Sequence, residues 1–297
     1  MKILMNRYTI VSRNLVMIFI SLILSTTGVN AGNPVLNADI KQTLSPKRVS
    51  YMQAMLDENT QELLTQYSVD TRLMPEAHPT IFGKQNAQRF FEALFSRFDI
   101  QRYEKSAIDF IPIANDIIVE SGEFELTMLN PTGQKRVLAG SYANLWRQQN
   151  QFEWLIETDI WNFHQWIDFK DELTFDHIPS VVTALGPRIP LDNDLAIEVA
   201  AYQVLNKDAV LEGDAGILVE TYGEKARLYP NYHSALTGKK AIKKYWLKHM
   251  AELPTFSMLQ NRTDKIEEYG KYIIQYASHI AAYRSISQHI VTRLHQG

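Results

Sequence analysis

The sequence predicts an α+β protein of two related domains, in which helices pack on one concave face of a curved antiparallel sheet. Three observations predict this class. A segment recurs at a spacing of 155 residues, helical periodicity precedes strand alternation in the first half, and the 297 residues are 45% hydrophobic and 21% charged. That length and composition suffice for two hydrophobic cores.

The repeat relates YSVDTRLMPEAHPTIFGKQ, residues 67–85, to YGEKARLYPNYHSALTGKK, residues 222–240. An ungapped overlay of residues 54–84 on residues 209–239 gives ten identities in 31 positions, where composition predicts roughly two. The spacing is close to the size of one domain and far longer than a solenoid repeat. The chain is therefore interpreted as a tandem repeat. The identical pairs are Ala54/Ala209, Leu56/Leu211, Leu63/Leu218, Tyr67/Tyr222, Arg72/Arg227, Leu73/Leu228, Pro75/Pro230, His78/His233, Gly83/Gly238 and Lys84/Lys239.

The first 31 residues differ in kind from the rest of the chain. Lys2, Arg7 and Arg13 precede the apolar run LVMIFISLIL, and small residues flank a cleavage position after Ala31. This layout is typical of a secretory signal peptide, because ten apolar residues are fewer than the about 20 that a membrane-spanning helix needs. The alternative is an uncleaved membrane anchor. We expect export, with a periplasmic or secreted mature chain that has no stable membrane anchor after cleavage.

Charge, cysteine content and missing motifs exclude several classes of function. Cleavage after Ala31 changes the formal net charge from −3 to −6, which disfavours nucleic acid as a partner. The absence of cysteine excludes disulfides, thiolate metal sites and a cysteine nucleophile. The eight histidines are scattered, and no H-E-x-x-H, G-x-S-x-G, G-x-G-x-x-G or phosphate-loop motif occurs. We therefore expect neither a metal nor a cofactor.

The first domain, residues 44–167, begins with helices. Ser45 and Pro46 predict a helix start ahead of apolar residues at helical spacing, with a bend at Glu58–Asn59. A short strand around residues 72–75 and the amphipathic helix KQNAQRFFEALFSRF come next. Alternating strands follow in AIDFIPI, IIVESGEFELTML, VLAGSYANLWRQ and FEWLIETDIWNF. This order places the helices on one face of an antiparallel meander.

The second domain, residues 194–297, repeats only part of this order. A predicted linker, residues 168–193, precedes it and is marked by Gly-Pro and Ile-Pro dipeptides. The helix AIKKYWLKHM and the strand KYIIQYASHIAAY recur at the same offset. The counterpart of Trp146 would fall at position 301, beyond the sequence. We therefore expect the second copy to lack the segments that match the last two long strands.

Five segments of the first copy follow one another in a recognisable order. They are AMLDENTQELLTQYSVD, the helix start at Gly83–Lys84, VESGEFELTM, SYANLWRQQ and FEWLIETDIWN, and the order that they define extends over nearly all of residues 48–163. This arrangement resembles the nuclear transport factor 2-like (NTF2-like) superfamily, particularly its SnoaL-like and DUF4440 branches. The resemblance implies cone-shaped, cystatin-like domains in which a curved antiparallel sheet wraps around a long N-terminal helix and leaves a pocket at the wide end. It implies little about chemistry, because the superfamily includes isomerases, cyclases, dehydratases and binding or assembly modules.

The last strand of the first domain carries the candidate catalytic residue, Asp159. Period-two alternation places Asp159 on the same face as Glu157, Trp161 and Phe163. A carboxyl group beside apolar rings suits general acid or base chemistry. The alternatives are a pocket-lining carboxylate, a solvent-facing acid and a hydrogen bond that holds the fold.

Aromatic and polar side chains of neighbouring segments are candidates for the wall of an apolar cleft with a few polar tips, as ligand sites usually are. The alternative is that these aromatic residues form a simple core. For His78, which lies between Pro75 and Pro79, a hydrogen bond that stabilises the loop is the favoured interpretation. The candidate ligand-binding residues are Tyr51, Tyr67, Met74, His78, Tyr142, Trp146 and Trp161.

Three functions remain open on the sequence. The first is an exported protein that binds a small, largely apolar molecule in the pocket of the first domain. The second is a cofactor-independent isomerase, dehydratase or cyclase in which Asp159 acts as acid or base. The third is a structural assembly module, working as a homodimer or through intramolecular pairing of the two domains.

Overall fold

The structure, a computed structural model, describes a large part of the chain in two compact units. Apart from Thr9–Arg13, the predicted signal peptide lies outside the described residues. Among the described residues, no helix is both long enough and apolar enough to cross a membrane. The described residues are 9–13, 34–150, 153–253 and 256–283. The first unit contains residues 34–150, 153–181 and 229–235, and the second contains 9–13, 182–228 and the described part of 236–283.

The first unit has an α+β fold in which helices pack on a mostly antiparallel sheet. Strand β1 (Thr9–Arg13) belongs to the second unit, and the elements of the first follow it in the chain. These are α1 (Pro34–Leu56), α2 (Thr60–Leu64), β2 (Tyr67–Pro75), β3 (Ile81–Phe82), α3 (Lys84–Arg97), β4 (Asp99–Ala114), β5 (Ile117–Leu129), β6 (Lys135–Asn150) and β7 (Glu153–Phe163). Their order across the sheet is β3-β2-β7-β6-β5-β4, and the pair β2–β7 is parallel.

Helix α1 begins earlier than the sequence predicts, because Pro46 lies inside it and not at its start. Proline cannot donate a backbone hydrogen bond, so the helix continues through this position with one bond fewer. Leu44 and Tyr51, on either side of the proline, are both buried in the core, and their burial offsets that loss. The predicted bend is confirmed: α1 ends at Leu56, and the Asn59 side chain accepts a hydrogen bond from the first turn of α2.

Helix α3 covers the sheet with an apolar face. It begins after Gly83, whose φ of 83° is accessible to glycine without steric cost. Phe90, Phe91 and Leu94 are buried on the face that meets the sheet, in agreement with the helical spacing of the sequence. Burial of each such side chain contributes about 1.5–3 kcal/mol to folding.

Part of the segment predicted as a linker packs into the first unit. A 3₁₀-helix spans Lys170–Leu173, and the side chains of Leu173, Phe175 and Ile178 are buried in the same core as the helices. The Phe175 carbonyl oxygen lies 3.2 Å from His78 Nε2, which ties the segment to the loop after β2. The apolar residues that precede the Gly-Pro dipeptide therefore supply packing area to the first unit.

The described part of the second unit has fewer strands in its sheets than the first. Its main sheet has the order β1, β11 (Tyr272–Tyr283), β10 (Phe256–Tyr269), and a chain cleaved after Ala31 would lack β1. Strands β8 (Arg227–Leu228) and β9 (Leu236–Thr237) form a separate pair. Its elements after β1 are a 3₁₀-helix (Thr183–Leu185), α4 (Asp194–Glu212), α5 (Ala215–Glu220), β8 (Arg227–Leu228), β9 (Leu236–Thr237), α6 (Lys239–Glu252), β10 (Phe256–Tyr269) and β11 (Tyr272–Tyr283).

Local geometry recurs at the 155-residue offset. Asp214 caps α5 as Asn59 caps α2, and Gly238 precedes α6 with a φ of 86°. His233 Nδ1 lies 2.7 Å from the following carbonyl oxygen, and His78 Nδ1 lies 2.8 Å from its own. Equivalent sequence positions therefore adopt equivalent turns and caps.

Candidate functional site

A cavity of about 60 Å³ lies in the first unit among α1, α3 and the sheet. At roughly 10–15 Å³ for each water molecule, this space holds on the order of four or five waters. It is therefore smaller than the roughly 300–1,000 Å³ of a site for a drug-sized molecule. The lining is mainly apolar, with a polar end formed by Tyr51, Tyr103, Lys105, Tyr142 and Asp159. The apolar lining consists of Met55, Pro75, Ala77, Phe90, Phe91, Leu94, Phe124, Leu126, Leu138, Trp161, Phe163 and Leu173.

The Asp159 carboxylate accepts hydrogen bonds from two tyrosine hydroxyls. Tyr67 Oη donates to Oδ2 at 2.6 Å, Tyr51 Oη lies 3.4 Å from the same oxygen, and the two hydroxyl oxygens are 3.0 Å apart. Asp159 is 1% exposed, so these donors replace the water that would otherwise solvate it. Helix α1 supplies Tyr51, β2 supplies Tyr67 and β7 supplies the carboxylate, so the cluster joins three elements.

The same contacts hold the tyrosines in their protonated form. Burial raises the pKa of Tyr51 and of Tyr67 well above the ordinary value, and the nearby Asp159 charge raises both further. Burial also raises the pKa of Tyr103, with a smaller contribution from Asp159. These hydroxyls are therefore hydrogen-bond donors near neutral pH, and their protons are hard to remove.

Lys105 brings a buried ammonium group to the cavity from β4. Its Nζ donates to Asn144 Oδ1 at 2.7 Å and lies 4.4 and 4.0 Å from the ring centroids of Tyr51 and Tyr142. Burial lowers the pKa of Lys105, and the charges of Asp159 and Glu120 oppose that shift. Ring faces stabilise a cation at these distances.

A second buried carboxylate, Glu120, sits behind the cavity wall. It is fully buried, accepts hydrogen bonds from Tyr142 Oη at 2.6 Å and Trp146 Nε1 at 3.2 Å, and lies 3.3 Å from Arg48 NH1. Since Arg48 is on α1 and Glu120 on β5, this ion pair fixes the helix to the sheet. It also orients Tyr142, whose ring lines the cavity.

Strand β7 departs from strict alternation, and the predicted face is partly wrong. The pairing with β6 shifts register between Leu145↔Thr158 and Trp146↔Ile156, which leaves Glu157 as an extra residue. Ile156 and Asp159 are consequently both buried, and Glu157 pairs with Arg147 away from the cavity lining. A β-bulge produces this change of face because it opposes two residues to one. Beyond the bulge, Asp159, Trp161 and Phe163 share the cavity face as predicted.

The predicted ligand-binding residues divide into two groups. Tyr51, Tyr142 and Trp161 line the cavity, as does the predicted catalytic residue Asp159. The others are not part of the lining. Tyr67 is fully buried behind it against Asp159, Trp146 donates to Glu120, Met74 is buried in β2, and His78 bonds the carbonyl oxygens of Pro79 and Phe175.

Sequence reasoning missed Lys105, Glu120 and Arg48. The pattern of β5 contains a signal for Glu120, because alternate residues of a strand share a face. The alternate residues on its face that are buried are Ile118, Phe124, Leu126 and Met128. Lys105 lies two residues after Tyr103 and so on the same face of β4. The prediction missed it because it began this strand at residue 107 and not at Asp99. Among the described residues, no group of three or more histidine, aspartate or glutamate side chains is arranged to hold a metal ion.

No family model matches the chain, and no curated protein matches it. Solved structures do. A ketosteroid isomerase-like protein from Erwinia carotovora atroseptica is 16% identical, with 41% of this chain and 94% of that chain covered and a TM-score of 0.39. An NTF2-like superfamily protein from Salmonella enterica serovar Typhimurium is 14% identical over 42% and 92% of the chains, with a TM-score of 0.37. An NTF-2 like protein of unknown function from Shewanella oneidensis is 13% identical over 42% and 96%, with a TM-score of 0.33. The structural neighbours of this chain are thus NTF2-like and ketosteroid isomerase-like proteins, the superfamily that residues 48–163 resemble in sequence.

Proposed function

We propose that the protein is exported and that its first unit binds a small, largely apolar molecule in the cavity. The observation that supports this most is the composition of the lining, with apolar side chains around most of the space and polar groups at one end. Ligand sites usually have this composition, because apolar walls supply affinity and a few polar atoms fix orientation. The volume of about 60 Å³ limits the ligand to a few non-hydrogen atoms unless side chains move.

Export rests on the N-terminal sequence, with its basic residues, apolar run and small residues at Ala31. We also propose that the second unit is an incomplete copy of the first. The matching caps, turns and strand registers at the 155-residue offset support that origin. Fractionation of expressing cells, with mass spectrometry of the mature N-terminus, tests both export and cleavage after Ala31.

Ligand binding is tested first on the purified mature chain by native mass spectrometry, which detects a co-purified molecule. Titration with small apolar compounds, followed by thermal shift, then measures binding directly. Trp161→Ala removes a ring that lines the cavity and should abolish binding. Trp166→Ala is the matched control, because Trp166 is 40% exposed and lies outside the lining. Equal binding by both variants would refute the proposed site.

A second candidate function is acid–base catalysis at Asp159. The observation that favours it is a buried carboxylate at the cavity with hydroxyl donors at 2.6 and 3.4 Å. In such chemistry the carboxylate takes a proton from a carbon next to a carbonyl group and returns it to the product. The carboxylate oxygen Oδ2 already accepts both tyrosine hydroxyls, so a substrate would compete with them for it. For this reason binding is the primary proposal.

The catalytic candidate is tested by exchange of the α-hydrogens of small ketones in heavy water, followed by NMR. Wild type should accelerate exchange and Asp159→Asn should not. Glu157→Gln is the matched control, since Glu157 lies on the same strand outside the cavity lining. Exchange at the rate of buffer alone in wild type would reject catalysis and leave the binding proposal intact.

A further inference from the structure

The two cations and two anions around the cavity balance in number, but their direct contacts are unequally matched. Arg48 and Glu120 form an ion pair at 3.3 Å, and Asp159 receives two tyrosine hydroxyls. Among the described residues, Lys105 forms no ion pair, and its hydrogen-bond acceptor is the neutral amide oxygen of Asn144 at 2.7 Å. An ammonium group can donate three hydrogen bonds. Lys105 therefore has both donors and charge to offer to something in the cavity.

Burial makes this mismatch significant. Lys105 is 6% exposed, and an ionised side chain in such surroundings is costly unless it is paired and hydrogen-bonded. The ring faces of Tyr51 and Tyr142, at 4.4 and 4.0 Å, offset part of this cost but carry no net charge. Since Lys105 lines the cavity, a bound molecule can reach it and place a negative charge in direct contact with it, whereas Asp159 and Glu120 act on it without forming an ion pair.

We infer that Lys105 anchors the carboxylate of a small apolar acid bound in this cavity. The inference rests on the proposed function and specifies the class of ligand. The apolar body of the acid would lie against the wall that includes Phe124, Leu126 and Leu138. The Tyr67 and Tyr51 hydroxyls, directed at Asp159 Oδ2, reduce the repulsion between Asp159 and a second carboxylate.

Isobutyrate and isobutyramide test the inference, because they share shape and apolar body and differ in charge. Wild type at neutral pH should bind isobutyrate about tenfold or more tightly than isobutyramide, as expected for a hydrogen bond to a charged group. Lys105→Met should remove this preference and leave the dissociation constant for isobutyramide within about threefold. NMR titration of labelled protein measures both constants, and the spectrum reports whether each variant is folded.

The outcomes separate this inference from the proposed function. If isobutyramide binds as tightly as isobutyrate, or if Lys105→Met retains the preference, the inference is wrong and binding of a small apolar molecule still stands. If neither compound nor any apolar compound binds the folded wild type, both fail. Lys105→Gln, which keeps a donor for Asn144 without the charge, should lose the preference as well. If neither variant folds, the two affinities of the wild type decide the question.

Discussion

Replacement of Tyr67 by phenylalanine removes the shortest hydrogen bond of the cavity cluster and little else. Tyr67 is fully buried and its hydroxyl donates to Asp159 Oδ2 at 2.6 Å. Phenylalanine keeps the ring and its packing against Phe91, so the change isolates the hydroxyl. A hydrogen bond to a charged group is worth about 1.5–3 kcal/mol, and the acceptor left behind is a buried carboxylate. We expect the free energy of unfolding to fall by about that amount.

The assay is thermal and denaturant unfolding of Tyr67→Phe beside Tyr51→Phe. A loss of about 1.5–3 kcal/mol lowers the melting temperature of a domain of this size by about 3–12 °C. Tyr51 Oη lies 3.4 Å from the same carboxylate oxygen, so Tyr51→Phe should cost less, about 0.5–1 kcal/mol. The order of the two losses is the sharper criterion, because it follows from the two distances to Asp159 Oδ2 and does not require the absolute free energy of either hydrogen bond.

The pH dependence gives an independent check on Tyr67. Its folded pKa lies above the unfolded value near 10.0, so the folded state holds the proton more tightly. The contribution of Tyr67 to the free energy of unfolding is fully present below the unfolded pKa and is lost as pH rises above it. Tyr67→Phe should therefore approach wild-type stability at alkaline pH. The geometry of the cluster would be refuted if Tyr51→Phe lowered the free energy of unfolding as much as Tyr67→Phe or more. It would also be refuted if the stability difference between Tyr67→Phe and wild type stayed the same at high pH.

Three further changes test other parts of the first unit. Burial lowers the pKa of Lys105 below 10.5, so unfolding takes up a proton and wild-type stability rises with pH in that window. The stability of Lys105→Met relative to wild type should then fall as pH rises toward 10.5, and a constant difference in urea unfolding would contradict this. Glu120→Gln leaves its arginine partner uncompensated and should cost about 3–5 kcal/mol in the same assay, whereas a loss below about 1 kcal/mol would mean that the pair is solvated. Gly122→Ala forces a methyl group against the Ser106 carbonyl oxygen and should lower the free energy of unfolding by at least about 1–3 kcal/mol. Gly223→Ala is its control, because no atom outside the neighbouring residues lies within 4 Å of the added carbon.

Helix and strand positions in the first unit could largely be predicted because their signals are local. The spacing of Phe90, Phe91 and Leu94 reports a helix face whatever packs against it. The cap at Asn59 and the turn that begins at Asn130 are set by side chains bonding to nearby backbone, with Asn130 Oδ1 accepting from Gln134 N at 3.0 Å. The start of α1 was predicted wrongly, since the Ser-Pro signal was outweighed by long-range burial of residues such as Leu44.

The candidate site could be predicted only in part. Asp159, Tyr51, Tyr142 and Trp161 were proposed from parity and residue type, and all four line the cavity. The sequence could not locate the bulge at Glu157, because a register shift depends on how β6 pairs with β7. Counting alternate residues through that position therefore places the residues before the bulge on the wrong face of the strand.

The sequence by itself determined the order of helices and strands, the 155-residue correspondence and the exclusion of thiol chemistry, because each follows from residue type and spacing. Only the tertiary structure decided which charges are buried together. Lys105, Asn144 and Asp159 come from three different strands, and they meet because β4, β5, β6 and β7 lie side by side in the sheet. The cost of burying a charge depends on such distant neighbours, and a linear pattern does not record them.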